Sequence, residues 1–364
     1  MSIYNTTNGT YYNSLSAAII GSSAGDTVQI SAGGYVEDFP DITHSLTISA
    51  VGGQAFLTTT QPIPVNGRAI LNVPVDGNVS LTISGLSLSG AVDAPSRNNG
   101  AGILFETGNG TLTVLNSHIF NNQDGILTGA ADAASTAGMA VVIRNSELDH
   151  NGVAPGNPSF GFDHNLYAGA VSQLTVQQSY LHDALGGHEI KSRSQINIIT
   201  GNRIEDGATA PTSYSIDLAN GGQSTIDGNV IEKGATSPNR NVVHFAGEGT
   251  YPNSSLVVSN NTIINDRTAG ATGLLNQSKD VLGANISADI HGNTLYGIDP
   301  VNLFQDDFGP PFDTTRNNVF PESAAPPLDT SSPFAVPEPA SIVLLMAGVL
   351  ALTVLRAVRR SNQA

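Results

Sequence analysis

Short stretches in which apolar and polar residues alternate recur along the chain, and each ends in a similar corner motif. The motif is Asn, Gly or Gln, then Ser or Asn, then any residue, then Ile, Leu or Val. Alternation predicts half-buried strands, and a fixed recurrence predicts a repeat architecture. Successive copies lie 23 to 33 residues apart, and their last aliphatic positions are 88, 119, 148, 181, 204, 231, 263 and 295.

This period, with strands and without a helical pattern, favours a parallel β-helix over residues 1–320. Each coil would supply about three short strands, and the coils would stack at roughly 4.8 Å. We expect the Asn or Ser column at the sharp corners, because Asn tolerates the left-handed conformation and stacked amides can hydrogen-bond along the axis. A β-propeller blade needs about 40 residues, and the Leu spacing of a leucine-rich solenoid is absent.

Composition agrees with a folded all-β protein and excludes several classes. The 364 residues include no Cys, which rules out disulfide scaffolds and Cys-based zinc sites. Acids outnumber bases 30 to 14, giving a net charge of -16, so a nucleic-acid partner is not expected. The apolar fraction of 40% is sufficient for a core. We expect a monomer.

Residues 24–48, from Ala-Gly-Asp-Thr-Val to Ser-Leu-Thr-Ile, resemble the opening coil of pectate-lyase-like right-handed β-helix proteins. The resemblance covers about 320 residues at the level of fold and implies a right-handed, single-stranded β-helix. It names no reaction, because that fold hosts lyases, hydrolases, epimerases and inert adhesins. The stretch from His164 to Gly234 also resembles a group of uncharacterised bacterial right-handed β-helix proteins, and that resemblance carries no established activity.

The end of the chain has three parts that differ from the repeat. A Pro-rich stretch over 321–336 predicts an extended linker. After it come Pro337, Glu338 and Pro339, and then sixteen mainly apolar residues from Ala340 to Leu355. A full membrane span needs about 20 apolar residues, so this segment is short for one. The chain ends in a basic cluster of Arg356, Arg359 and Arg360.

This tail, 337–364, resembles the PEP-CTERM sorting signal of Gram-negative bacteria. The resemblance implies recognition by an exosortase in the inner membrane, a C-terminal transmembrane helix over 340–355, and a link to exopolysaccharide production. It therefore predicts an exported protein that is first anchored in the inner membrane and then reaches the cell surface or matrix. A plain tail anchor is the alternative. Residues 1–18 are polar and lack the apolar core of a signal peptide, so we expect a truncated start or another export route.

Chemically reactive residues concentrate in four consecutive coils. Alternation sends two columns of side chains outward from the strand that precedes each corner. The first column contains Tyr167, Lys191, Asp217 and His244, with Arg193 beside it, and these five are the predicted catalytic residues. The second column and its neighbours are the predicted substrate-binding residues: Asn165, His188, Glu189, Ser215 and Asn220.

Three kinds of chemistry fit this patch. Lys191 and Arg193 could neutralise a uronate carboxylate, with Tyr167, Lys191 or His244 as general base or acid, as in a polysaccharide lyase or C5-epimerase. Glu189 and Asp217 could instead be the paired carboxylates of a glycoside hydrolase. With Asn165 and backbone carbonyls, the same two acids could bind calcium, the one cofactor that the sequence suggests.

Two hypotheses therefore remain open from the sequence. The first is a polysaccharide-binding or polysaccharide-modifying protein that acts along this face. The second is a non-catalytic structural or adhesive matrix protein, in which opposite charges on stacked strands only stabilise the sheet. The remaining histidines near corners, His118, His150 and His182, are predicted to be turn or surface residues rather than metal ligands.

Overall fold

The structure, a computed structural model, describes residues 2–36, 39–59, 61–63, 68–75, 77–93, 100–129, 138–268, 270–277, 286–306 and 316–334. The chain divides into one unit over Met1–Pro327 and a second over Leu328–Ala364. The predicted sorting motif, the apolar segment 340–355 and the terminal arginines lie outside the described residues. Among the described residues, no helix is long and apolar enough to cross a membrane.

The described chain is almost entirely β-structure, and its strands are short. One α-helix, α1 (Leu15–Ile20), and one 3-10 helix (Pro300–Asn302) are the exceptions in the described part. The strands are β1 (Ile3–Asn5), β2 (Thr10–Tyr12), β3 (Asp26–Val36), β4 (Leu46–Thr58), β5 (Ala69–Val73), β6 (Leu81–Ser84), β7 (Leu86–Ser89), β8 (Ala101–Phe105), β9 (Asn109–Leu115), β10 (His118–Phe120), β11 (Asp124–Thr128), β12 (Gly138–Arg144), β13 (Glu147–Asp149), β14 (Leu166–Ala168), β15 (Gln173–Gln177), β16 (Tyr180–His182), β17 (Ile190–Ser192), β18 (Ile196–Thr200), β19 (Arg203–Glu205), β20 (Ile216–Leu218), β21 (Gln223–Asp227), β22 (Val230–Lys233), β23 (Asn241–Phe245), β24 (Ser255–Ser259), β25 (Thr262–Asn265), β26 (Thr272–Asn276), β27 (Ser287–His291), β28 (Thr294–Tyr296) and β29 (Phe304–Asp306).

Each coil contributes one strand to each of three parallel stacks, as the repeat predicts. The first face runs from β6 through β9, β12 and β15 to β27, and the second from β7 through β10, β13 and β16 to β28. The long strands β3 and β4 join these two faces into one sheet. The third face is a separate sheet from β5 through β8, β11, β14, β17, β20, β23 and β26 to β29. The all-β, parallel stacked architecture is therefore confirmed.

The interior is a continuous column of aliphatic side chains. Strands of the second face place their middle residue inward, and the register stacks it on its counterpart in the next coil. The stacked residues are Ile119, Leu148, Leu181, Ile204, Ile231, Ile263 and Leu295, all of them buried. At the N-terminal end, helix α1 adds Leu15, Ala18 and Ile19 to this core, an element that the repeat pattern does not predict.

The corner before each second-face strand has the two properties that the Asn or Ser column predicts. Its first residue has a positive φ: Asn116, Asn145, Gln178, Gly201, Gly228, Asn260, Gly292 and Asn317. Its second residue bonds along the axis to the same position in the next coil. Asn202 Nδ2 donates to Asn229 Oδ1 at 2.9 Å, and Asn229 Nδ2 donates to Asn261 Oδ1 at 2.9 Å. These ladders hold successive coils in register.

Candidate functional site

Four of the predicted catalytic residues form one column on the third face. In the parallel register of β14, β17, β20 and β23, Tyr167 lies beside Lys191, Lys191 beside Asp217, and Asp217 beside His244. The predicted stacking of this column is therefore confirmed. It forms because the strands alternate regularly and pair in register, so that the residues paired with one another in successive strands face the same way.

The column lines a groove with a volume of about 920 Å³. The residues two positions before β14, β17 and β20 add a ladder of aromatic rings to it. His164 stacks on Tyr167 with ring centroids 5.7 Å apart, and on His188 at 5.0 Å. Tyr214 continues the ladder, 5.4 Å from His188 and 4.6 Å from His244. The groove therefore offers flat apolar surfaces beside charged groups.

Asp217 is the centre of the charge network in the groove. Its carboxylate accepts from Lys191 Nζ at 2.8 Å and from His244 Nδ1 at 2.6 Å. Burial alone would raise the pKa of Asp217, but the hydrogen bond from His244 and the nearby cationic charge hold that pKa well below its usual range. Burial lowers the pKa of Lys191, but Asp217 and Glu248 outweigh it and raise that pKa above its ordinary value. Lys191 is therefore charged at neutral pH.

Arg193 lies next to this network and links it to the rim. Its Nε donates to the Tyr167 hydroxyl at 2.8 Å, and one terminal nitrogen donates to Asn220 Oδ1 at 2.9 Å. The other terminal nitrogen contacts the carboxylate of Glu248, whose second oxygen accepts from Lys191 Nζ at 2.7 Å. Glu248 thus bridges the two cations while its own side chain is 43% exposed.

Two histidines of the aromatic ladder are neutral at pH 7. His188 Nδ1 accepts from the backbone N–H of Tyr214 at 3.0 Å, which places the ring proton on Nε2, 3.3 Å from Asp217 Oδ2. His164 Nδ1 accepts from the His188 backbone N–H at 3.0 Å. Burial is the main cause that lowers the pKa of His188 to about 4 and the pKa of His164 well below its ordinary value.

The predicted outward position of the second column is wrong. Asn165, Glu189 and Ser215 are fully buried. Asn165 Nδ2 contacts a Glu189 carboxylate oxygen, the other oxygen accepts from the Ala184 N–H at 2.9 Å, and Ser215 Oγ donates to Asp206 at 2.9 Å. All three precede their strands at a corner, where the chain bends and strict alternation no longer sets the direction of the side chain.

The buried positions of Glu189 and Asn165 exclude two of the three kinds of chemistry that the sequence leaves open. Glu189 does not line the groove, so it cannot share one substrate with Asp217 as the carboxylate pair of a glycoside hydrolase. The suggested calcium set also falls apart, because Glu189 and Asn165 bond to each other in the buried corner while Asp217 bonds to Lys191 and His244. The groove still contains Lys191 and Arg193, the two cations that could neutralise a uronate carboxylate.

Sequence reasoning missed several groups that line the groove, among them His164, Tyr214, Glu248 and Gln277. His164 and Tyr214 occupy the position before the corner residue in their coils, as His188 does, so aligning the coils one residue further back would have found this aromatic column. Glu248 lies 57 residues from Lys191 along the chain, and Gln277, whose Oε1 lies 2.7 Å from His244 Nε2, comes from a still later coil. No local sequence pattern predicts that residues so far along the chain come close to Lys191 and His244.

A match to a protein-family model supports the fold. Residues 132–303 match the family model described as a right-handed β-helix region. Over this segment the chain is similar to right-handed β-helix proteins. No curated protein matches it. Among solved structures, a mutant of the PL6-family alginate lyase AlyGC aligns with a TM-score of 0.42 and 16% identity, over 85% of this chain and 38% of the lyase. The chain thus spans less than half the length of that protein.

Proposed function

We propose that the groove binds an acidic polysaccharide, with the carboxylate of a uronate unit held between Lys191 and Arg193. The observation that carries the proposal is Glu248, whose carboxylate already occupies this position from a partly exposed loop. Two cations that hold one carboxylate of the protein are spaced to hold another. The adjacent aromatic ladder offers flat faces for sugar rings, and Lys191, Asp217 and His244 converge in a groove rather than diverging on a convex surface.

The same contacts fit β-elimination. A base removes the C5 proton of the uronate, a C4–C5 double bond forms, the C4–O bond breaks, and the departing oxygen takes a proton. Lys191 and Arg193 would make the C5 proton more acidic by neutralising the carboxylate. Tyr167, whose hydroxyl oxygen accepts from Arg193, is the proposed base, and charged Lys191 is the proposed proton donor. C5 epimerisation would share the first step and return the proton to the opposite face of the sugar.

The test uses purified protein with a panel of uronate polymers and neutral polymers. We expect depletion of uronate polymers and a rise in ultraviolet absorbance from unsaturated sugars. Lys191→Ala should abolish both signals, whereas Tyr167→Phe should abolish only the absorbance. Arg316→Ala, which removes a cation whose side chain is 57% exposed, is the control. If no uronate polymer is depleted, the proposal is wrong. Depletion without an unsaturated product or an epimerised sugar would mean that the groove binds the polymer but does not modify it.

One observation favours a non-catalytic matrix protein as the second candidate. The charged groups in the groove already satisfy one another, since Asp217 bonds to Lys191 and His244 and Glu248 bonds to Lys191 and Arg193. Such a network can serve only to hold adjacent coils together. In that case Lys191→Ala would lower the unfolding temperature, and wild-type protein would deplete no polymer.

We further propose that the protein is exported and sorted through its C-terminal segment, on the strength of the sequence of residues 337–364. An exosortase-type enzyme would recognise Pro337, Glu338 and Pro339 while residues 340–355 hold the chain in the inner membrane. Cell fractionation of wild type and a triple Ala variant of this motif, with and without such an enzyme, tests the idea. The variant should accumulate in the membrane fraction, and identical fractionation of both proteins would contradict sorting.

A further inference from the structure

A second cluster of ionisable side chains lies on the second face, in strands β10, β13 and β16. In the parallel register His118 lies beside Glu147, and Asp149 lies beside His182 in the next column. His and carboxylate groups therefore alternate over three successive coils. The side chains of these four residues are at most 12% exposed. The surface position predicted for His118 from the sequence is wrong, because only 2% of that residue is exposed.

Three of these side chains direct one atom each to a common point. His118 Nε2 contacts Asp149 Oδ1 and lies 3.9 Å from Glu147 Oε2. All three residues offer a ligand atom within 4.8 Å of the others. The second oxygen of each carboxylate is held from behind by another histidine. His182 Nε2 lies 3.0 Å from Glu147 Oε1, and His150 Nδ1 lies 2.6 Å from Asp149 Oδ2.

We propose that His118, Glu147 and Asp149 bind a divalent transition-metal ion of the Zn²⁺ class. One imidazole nitrogen and two carboxylate oxygens are donors that zinc accepts, leaving a fourth position for water. Calcium prefers six to eight oxygen ligands, which this donor set does not supply. Zinc bonds of about 2.0–2.2 Å would place the ligand atoms roughly 3.3 Å apart, so small side-chain rotations from the present arrangement suffice.

Burial and the surrounding residues support this assignment. Glu147 and Asp149 are only 1% and 7% exposed, and in such a poorly solvated place their attraction for a dication is strong. A dication at their shared point would be held by both carboxylates at once. His182 and His150 would then be outer partners that orient the carboxylates, as hydrogen-bonded groups behind metal ligands do. His150, with its side chain 48% exposed, places the cluster next to solvent.

The distribution of histidine in the chain points the same way. Of eight histidines in the sequence, three line the groove on the third face, and three belong to this cluster on the second face. The proposed zinc ligands thus lie on a different face of the molecule from the proposed polysaccharide groove. Its test can therefore fail without affecting the proposed function, and the reverse also holds.

The experiment measures metal binding by the full chain after removal of metals with a chelator. Competition with a chromophoric chelator should give one Zn²⁺ per chain, and Co²⁺ should produce visible d–d absorption bands. His118→Gln, Glu147→Gln and Asp149→Asn should each weaken zinc binding by about tenfold or more. His291→Gln is the matched control, because His291 Nδ1 also contacts an aspartate, Asp289 at 3.1 Å, in a more exposed pair.

Zinc binding by the wild-type protein is the first criterion, so misfolding of a variant cannot obscure the result. If wild-type protein binds zinc no more tightly than about the millimolar range, or Co²⁺ gives no visible bands, the proposal is overturned. It is also overturned if binding survives in folded His118→Gln but is lost in His150→Gln and Asp183→Asn, which would place the metal in the more exposed group of His150, His182 and Asp183. Loss in the three inner variants alone supports the proposal.

Discussion

The carboxylate of Glu248 decides how available the cations of the groove are. While it bridges Lys191 and Arg193, a uronate must displace it, and the bridge is partly exposed and therefore easy to open. We predict that Glu248→Gln tightens binding of uronate polymers by roughly tenfold, or about 1.4 kcal/mol. Equilibrium depletion of a labelled uronate oligomer measures the effect, with exposed Glu322→Gln as control. An unchanged affinity would show that the uronate does not enter between these cations.

Buried Glu189 should make stability depend on pH. Burial first, and then the charge of Asp206, raise its pKa to about 8, while hydrogen bonds from Ala184 and Asn165 oppose them. Between its ordinary value near 4.5 and 8 the folded state keeps a proton that the unfolded state releases, so stability falls as pH rises. Each such group contributes about 1.4 kcal/mol per pH unit within this range. Glu232, whose pKa is also raised to about 8, adds a similar slope.

Denaturant unfolding at several pH values between 5 and 9 tests this dependence. Glu189→Gln should flatten the decline in the free energy of unfolding with pH, and the double variant with Glu232→Gln should flatten it further. Glu322→Gln, at an exposed position, should leave the slope unchanged. A slope that is the same in all variants would mean that Glu189 is ionised in the folded protein.

Sequence alternation predicts side-chain direction well inside strands and poorly at their ends. Tyr167, Lys191 and Asp217 face the groove as expected, because each is the middle residue of a paired strand. Glu189 and Ser215 carry the same alternation only one residue beyond the strand, yet the corner turns them inward. Direction is set by pairing with neighbouring strands, and that pairing stops at the corner.

At the scale of the element, the corner ladder is the feature that the sequence predicts best. Two adjacent corner positions share the work: the first adopts the tight turn, the second bonds along the axis through its side chain, and both properties depend on residue type. The loops are different. The loop that carries Glu248 varies in length from its counterparts in other coils, so its reach depends on tertiary contacts that no period describes.

The ladder makes a specific prediction for stability. Asn229 accepts two bonds from Asn202 and donates to Asn261 and to the Ile199 carbonyl, all in a buried corner. Asn229→Ala would leave several buried polar groups without partners, at about 1–3 kcal/mol each before relaxation. We expect the free energy of unfolding to fall by at least about 2 kcal/mol in urea denaturation. Asn253→Ala, at an exposed turn, should change it by less than about 0.5 kcal/mol.

At the scale of the whole molecule, the charge of the chain opposes the ligand that its groove is proposed to bind. The net charge is -16, and it becomes -19 over residues 1–355, where 30 acids face 11 bases. Lys191 and Arg193 are a local exception with side chains only 10% and 15% exposed. Long-range repulsion therefore acts on an approaching polyanion, while short-range attraction acts only after contact. A change in salt concentration should distinguish the long-range repulsion from the short-range attraction, because salt screens distant exposed charges more than partly buried ones.

We therefore predict that uronate polymers associate faster as ionic strength rises from about 10 to 100 mM, where the Debye length shrinks from about 30 to 10 Å. A basic polyanion binder shows the opposite trend, since counterion release weakens with salt. Stopped-flow mixing with a fluorescent uronate oligomer should show a several-fold increase in association rate, and a neutral oligomer of equal length should show no change. A rate that falls from the lowest salt onward would mean that a positive field around the groove dominates the approach and that the acidic surface does not govern encounter.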